Sequence, residues 1–228
     1  MAETLATYTP KTCNCDNGHV FFERDGTGYV AECACRVREK EQKRLRDLFR
    51  SANVPERYTD KSLENFIQFR QPDAFKTTST FLQKWDEAKK TGRGLIFVGD
   101  VGTGKTHLSF AVFNELVRRG VKGLAVTVPD LMDELRPRSE EKQIEQLEAL
   151  KTVDILLLDD LGAQRNTPWV TERLFIIINA RYNNLKPTII TSNSRLEELD
   201  KVDGWRRIVD RISEMCRPVK MDGPSFRS

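Results

Sequence analysis

Gly99-Asp100-Val101-Gly102-Thr103-Gly104-Lys105-Thr106 fits G-x-x-x-x-G-K-[ST], the phosphate-binding P-loop, at every position. Just before it, Leu95-Ile96-Phe97-Val98 is a short apolar run of strand type. Just after it, His107 to Arg119 reads as a helix, with Leu108, Ala111, Val112 and Leu116 on one side and Gly120 as its stop. Strand, glycine loop and helix together give the pattern its meaning. The glycines let backbone N–H groups point inward at phosphates, and the helix N-terminus adds its positive end. Lys105 is then placed to reach the β and γ phosphates of a nucleotide, the Thr106 hydroxyl to ligate Mg²⁺, and the backbone from Gly99 through His107 to line the phosphate site.

A second motif lies downstream. Val153-Asp154-Ile155-Leu156-Leu157-Leu158-Asp159-Asp160 is an apolar run that ends in two carboxylates and runs into Leu161-Gly162. A near-continuous apolar run suits a parallel strand buried on both faces. Carboxylates at its C-terminal end sit where open α/β sheets bind ligands. Asp159 is expected to hold Mg²⁺, usually through water, and Asp160 to polarise an attacking water.

At 228 residues the chain has room for one α/β domain and a small appendage. A net charge of +3 is too small to argue for nucleic acid by itself. No apolar run reaches the length of a membrane span, and the first residues lack the basic start and apolar core of a signal peptide. The expected location is the cytoplasm, where disulfides are rare.

The cysteines need another explanation. Four of the five form two pairs, Cys13-x-Cys15 and Cys33-x-Cys35, and Cys216 stands alone. Two thiolate pairs separated by the turn-forming Asp25-Gly26-Thr27-Gly28 read as a small Cys₄ zinc site, with the metal replacing a core that so short a segment cannot build. The single-residue spacing is shorter than in most zinc ribbons, and His19 is a substitute ligand if one thiol falls out of reach. Free thiols or a redox pair are the other readings, and Cys216 reads as a small buried residue.

Three regions follow: residues 1–50, the cysteine-rich module with a charged helix from Arg36 to Arg50; residues 51–92, a linker with Pro55 and Pro72 leading into a helix from Ala74 to Lys90; and residues 93–228, the nucleotide-binding core. The charged helix carries seven basic and three acidic residues and reads as a solvated face before it reads as a nucleic-acid contact. Within the core, Gly123 to Val128 is a strand, followed by helices from Asp130 and over Glu140 to Leu150. Thr167-Pro168 has the form of an N-cap with proline at the first helical position, opening a helix from Trp169 to Tyr182. Pro187 to Thr191 is a further buried strand and Arg206 to Met215 a further helix. This alternation predicts an α/β fold, a parallel sheet with helices on both faces.

Asn193, just past the Pro187–Thr191 strand, is expected beside the other two ligand-binding strands. Its amide suits a hydrogen bond to the attacking water or the γ-phosphate, and equally a helix cap. Arg207 and Arg211 are four apart and share a helix face. Either suits an arginine finger that reaches a neighbouring subunit's nucleotide, or a surface ion pair with Asp210.

Together these segments resemble the AAA+ ATPases of the DnaC/DnaI helicase-loader family, with the IstB transposition ATPases close by. The resemblance rests on Gly99–Thr106, Leu156–Gly162, Pro187–Asn193, the arginine helix and the terminal Ser225-Phe226-Arg227. Val54-Pro55-Glu56-Arg57-Tyr58, Trp169 and Asn179-Ala180-Arg181-Tyr182 also fit. It implies that Asn193 reads the γ-phosphate, that Arg207 rather than Arg211 is the finger, and that Arg227 is a second sensor contacting nucleotide in its own subunit. The cysteine cluster is similar to the zinc module by which some loaders grip the replicative helicase, and it favours a loader over the IstB type. Two departures stand out: Asp160 replaces the usual glutamate, and no helical lid follows Arg227. Both point to slow, switch-like hydrolysis. The resemblance thus implies an ATP-dependent loader, using ATP, Mg²⁺ and Zn²⁺, that self-associates through its nucleotide sites. It would bind a hexameric replicative helicase and deliver it to single-stranded DNA. The alternative is an IstB-like helper of DNA transposition.

Overall fold

The computed structural model of the chain describes residues 15, 18–24, 26–136 and 139–226. Cys13 and Arg227 lie outside them. The chain divides into two compact units, residues 1–48 and 49–228.

In the first unit, His19–Arg24 (β1) pairs antiparallel with Thr27–Glu32 (β2), and Arg24 opposes Thr27 across a two-residue connection. Gly26 there has φ 74°, a left-handed value that glycine adopts without the penalty of a Cβ. The turn expected over 25–28 falls at this connection; the paired strands on either side of it were not foreseen. The helix Ala34–Ser51 (α1) begins here and spans the boundary between the units in sequence. Among the described residues of 1–48, Cys33 alone is buried, while Phe21 is 69% and Val30 60% exposed.

The second unit opens with two helices, Pro72–Gln83 (α2) and Trp85–Thr91 (α3), where the spacing predicted one. Lys84, at φ −101° and ψ 25°, breaks the run with neither glycine nor proline present. The kink instead accompanies packing: Trp85 meets Phe81 edge-on at 6.0 Å. Residues 51–92 are integral to this unit and bury Ala52, Val54, Phe66, Phe81, Leu82 and Trp85.

The P-loop strand Gly94–Val98 (β3) is followed by Lys105–Arg118 (α4), two residues longer at its start than the apolar pattern implied. Then come Gly123–Thr127 (β4), Val128–Leu135 (α5), Glu140–Thr152 (α6) and Ile155–Asp159 (β5). The Thr127 hydroxyl accepts from Asp130 N at 3.3 Å and so starts α5 earlier than expected. Pro168–Asn183 (α7) has the predicted cap, the Thr167 hydroxyl accepting from Val170 N. Thr188–Ser192 (β6), Leu196–Leu199 (α8), Arg206–Met215 (α9) and Cys216–Lys220 (β7) complete the unit.

The sheet is wholly parallel with strand order β4-β5-β6-β3-β7. Ile96, Val98, Leu156, Leu158 and Ile190 face a core shared with α5, α7 and α9. Alternate residues of the same strands face α4, whose Phe113 packs beside Gly123 and Ile155. Helices therefore cover both faces. The edge strand β4 is shielded by a strap: Ala125 N donates to Ala52 O at 2.9 Å, and Asn53 Nδ2 donates to Ala125 O at 3.1 Å. β7 was not foreseen; its Pro218 is tolerated because the strand lies at the edge of the sheet.

Candidate nucleotide site

Parallel pairing sends the C-terminal ends of β3, β5 and β6 to one edge of the sheet. Val98 pairs with Ser192 and Leu158 with Ile190, so the P-loop, Asp159-Asp160 and Asn193 emerge together there. β6 lies between the other two strands. Asn193 itself is exposed.

Gly102 (φ 83°) and Gly104 (φ 91°) both hold left-handed backbone. A Cβ on Gly102 would stand 2.2 Å from Ser225 Oγ, and one on Gly104 2.9 Å from the Phe66 ring. Conformation and space both demand glycine, and the loop keeps the open backbone that a phosphate cradle needs. Gly104 caps α4 and, having no side chain, adds no cap hydrogen bond to its first turn. Lys105 is 6% exposed, and its Nζ donates to Gly99 O (2.8 Å) and Asp100 O (2.6 Å). A buried ammonium is thereby fixed inside the loop. Asp100 O also accepts from Thr103 Oγ1 at 2.8 Å, while Val101 points to solvent, 64% exposed. His107 is bound into the preceding segment, with Nε2 2.8 Å from Asn65 Oδ1 and 3.2 Å from Ser62 O; burial lowers its pKa.

Asp159 is 3% exposed and accepts from two hydroxyls on the same oxygen: Thr106 Oγ1 at 3.2 Å and Thr191 Oγ1 at 2.6 Å. Burial, with the neighbouring Asp160 charge adding to it, pushes its carboxyl up to about 6 against the two hydroxyl bonds. The donor set fits Mg²⁺. Two ligands at right angles on an octahedral Mg²⁺ are about 3 Å apart, close to the Thr106–Asp159 separation, and hydroxyl and carboxylate oxygens are what this cation selects. Mg²⁺ bound there would neutralise charge on the nucleotide's phosphate oxygens.

Thr191 was not singled out from the sequence, yet it organises this edge. Its hydroxyl donates to Asp159 and accepts from Asp160 N at 2.9 Å. Ser192 Oγ adds a bond to Leu161 O at 2.7 Å. The two polar residues that close the strand Thr-Ile-Ile-Thr-Ser were the available signal. Asp160 stands at φ 56°, a left-handed value that short polar residues tolerate best.

The segment after β7 lies along the P-loop. Met221 N donates to Val98 O, Gly223 N to Asp100 Oδ2 and Phe226 N to Gly102 O, at 2.8, 3.1 and 2.8 Å. Phe226 also packs against Phe66 with Arg70 over its ring. Arg207 is not part of this edge; it lies on α9 against Phe175.

A second candidate centre is the thiol group. The Sγ atoms of Cys15, Cys33 and Cys35 lie within 4.8 Å of one another, with Cys15 and Cys35 3.4 Å apart. Tetrahedral zinc places thiolates about 3.8 Å apart, so three ligands fit. His19 is not among them: both its ring nitrogens are 3.4 Å from Arg36 Nη1.

Comparison with known proteins agrees with this geometry. Over 212 residues the chain is 27% identical to the replicative helicase loader DnaI of Bacillus subtilis, an alignment spanning 86% of this chain and 68% of that protein. It is 28% identical over 180 residues to the replicative helicase loader DnaC of Escherichia coli K12, covering 77% and 72% of the two chains. A crystal structure of the DnaC helicase loader superposes with TM-score 0.63 at 32% identity, across 73% of this chain and 99% of that one. The model of the IstB-like ATP-binding proteins matches residues 28–228. By fold, phosphate loop and sequence, the chain belongs to the IstB-like ATP-binding protein family, with an ATPase domain of the AAA+ type.

Proposed function

We propose that this protein is an ATP-dependent loader that binds a hexameric replicative helicase and delivers it to single-stranded DNA, with slow, switch-like hydrolysis. Similarity to two loaders along most of the chain carries this reading. In it, Gly99–His107 and Lys105 bind the phosphates, Thr106 and Asp159 hold Mg²⁺, and Asp160 orients water. Asn193 and Arg227 sense the nucleotide within the subunit, and Arg207 reaches it from a neighbour. Cys13, Cys15, Cys33 and Cys35 hold zinc and shape the helicase-binding module, which leaves 93–228 as the ATPase domain.

One surface feature supports the DNA contact. Trp169, at the start of α7, has the guanidinium carbons of Arg136 and Arg173 each 5.7 Å from its ring centroid. The adjoining cleft of about 310 Å³ is also lined by Arg165. Arginines gathered on one aromatic ring suit a single strand, whose phosphates the charges would engage. Single-strand affinity should require ATP and fall more than tenfold between low and moderate salt. It should fall again in Trp169→Ala. Salt-independent binding would remove the phosphate-tracking idea.

Similarity to a protein of an insertion sequence of Geobacillus stearothermophilus, 26% identical over 196 residues, favours a second reading, a helper of DNA transposition. Pull-down of purified replicative helicase by the full chain, alongside binding to duplex and single-stranded DNA, separates the two. Helicase capture with single-strand preference supports the loader. Duplex preference without capture supports the transposition helper.

A further inference from the structure

We propose that Phe175 is a positioning residue for Arg207, its ring presenting the guanidinium to the nucleotide of a neighbouring copy of this chain. The inference rests on the reading of Arg207 as a residue acting between subunits.

Two arginines one turn apart on α9 have different surroundings. Arg211 is engaged at its edge: Nη1 donates to the Asp210 carboxylate at 2.7 Å and Nε to Asn179 Oδ1 at 3.4 Å, and the group also lies over Tyr182 at 4.8 Å. Arg207 makes no ion pair among the described residues, and its guanidinium carbon stands 4.6 Å from the Phe175 ring centroid. Phe175 is half-buried on α7 and packs on the core beneath, so the ring is a fixed surface. The distinction is chemical. A carboxylate engages the N–H edge of a guanidinium, which is the part that recognises phosphate oxygens. An aromatic face engages its flat side and leaves the edge free. Stacking also narrows the conformations of a long side chain before any phosphate arrives, which lowers the ordering cost of the reactive geometry. Phe175 and Arg207 line an open cleft of about 400 Å³ with Asn166, Thr167, Asp203 and Gly204, room enough for a partner's surface.

The test compares Phe175→Leu, Phe175→Tyr and Arg207→Ala in the full-length protein, reading kcat for ATP, nucleotide affinity by direct titration, and subunit mixing. Phe175→Leu should lower kcat about 3- to 5-fold, the size expected for one exposed cation–π contact. Nucleotide affinity should stay unchanged, and Phe175→Tyr should retain near-normal turnover. Excess Lys105→Ala protein, whose own site is disabled but whose Arg207 is intact, should restore turnover to Phe175→Leu. The double variant Phe175→Leu/Arg207→Ala should be no slower than Arg207→Ala alone. Normal kcat in Phe175→Leu with turnover lost in Arg207→Ala overturns the positioning role and leaves the finger standing. A loss in Phe175→Leu that extends to nucleotide affinity and is not rescued by mixing assigns the ring a structural role only. Full activity in Arg207→Ala overturns both.

Discussion

A single hydroxyl, that of Thr191, fastens both aspartates at the end of β5, donating to the Asp159 carboxylate and accepting from the Asp160 backbone amide. Thr191→Val should leave the Asp160 amide and the Asp159 carboxylate short of a partner and lower kcat about tenfold, while Thr191→Ser keeps both bonds and most activity. Steady-state turnover of the two variants checks this. Asp159 itself works against the fold. Its carboxyl binds a proton more tightly in the folded chain, about 6, than the ordinary value of 3.8. Ionising it therefore penalises folding as pH rises past 3.8, and the penalty is complete above about 6. Asp159→Asn removes the charge, and its Oδ1 still accepts from Thr106 and Thr191. Without Mg²⁺ the variant should gain about 3 kcal/mol at pH 7 and about 0.5 kcal/mol at pH 4, while hydrolysis is lost. Urea denaturation at the two pH values reads the difference. An equal midpoint shift at both would show that the gain does not come from the charge.

Between elements, the decisive link is Arg181 on α7, fully buried and without an ion-pair partner among the described residues. Its Nη1 donates to Leu150 O and Val153 O, Nη2 to Pro187 O and Nε to Thr188 Oγ1. The guanidinium thus ties the end of α6 to the starts of β5 and β6, and burial pulls its pKa down to about 9. Arg181→Met fills similar volume but strands four acceptors, so we expect a loss of about 3 kcal/mol with the nucleotide loop intact. Denaturant midpoints against nucleotide affinity separate the two effects. None of this could be seen from spacing, which marks Arg181 as one more residue of a helix. The legible parts share a property: Leu95–Val98, Ile155–Leu158 and Thr188–Thr191 are buried on both faces, so their composition alone reports their place. The glycines and paired carboxylates then mark the ligand edge. The features that escaped depend on partners distant in sequence. β7 is a strand because β3 offers it a ladder, Lys84 kinks where Trp85 meets Phe81, and Thr191 matters only once β5 lies beside β6.

At the scale of the molecule, the two units are stabilised by different means. Residues 49–228 bury apolar side chains on both faces of a five-stranded sheet, one face in a large contiguous cluster. Residues 1–48 have no such core among those described; a two-stranded hairpin is marginal in water by itself, and Phe21 and Val30 stay exposed. What converges there is sulfur, three Sγ atoms within 4.8 Å, and metal binding to such a site supplies folding free energy directly. Stripping metal with a strong chelator should therefore abolish the hydrogen-exchange protection of the amides in 19–32 and leave nucleotide affinity unchanged within about twofold. Cys33→Ser, which removes the buried thiol of the group, should match the chelated protein in both respects and lose helicase capture as well. Protection that survives chelation in a protein shown to be metal-free would mean the hairpin stands without zinc, and the thiols would then need another explanation.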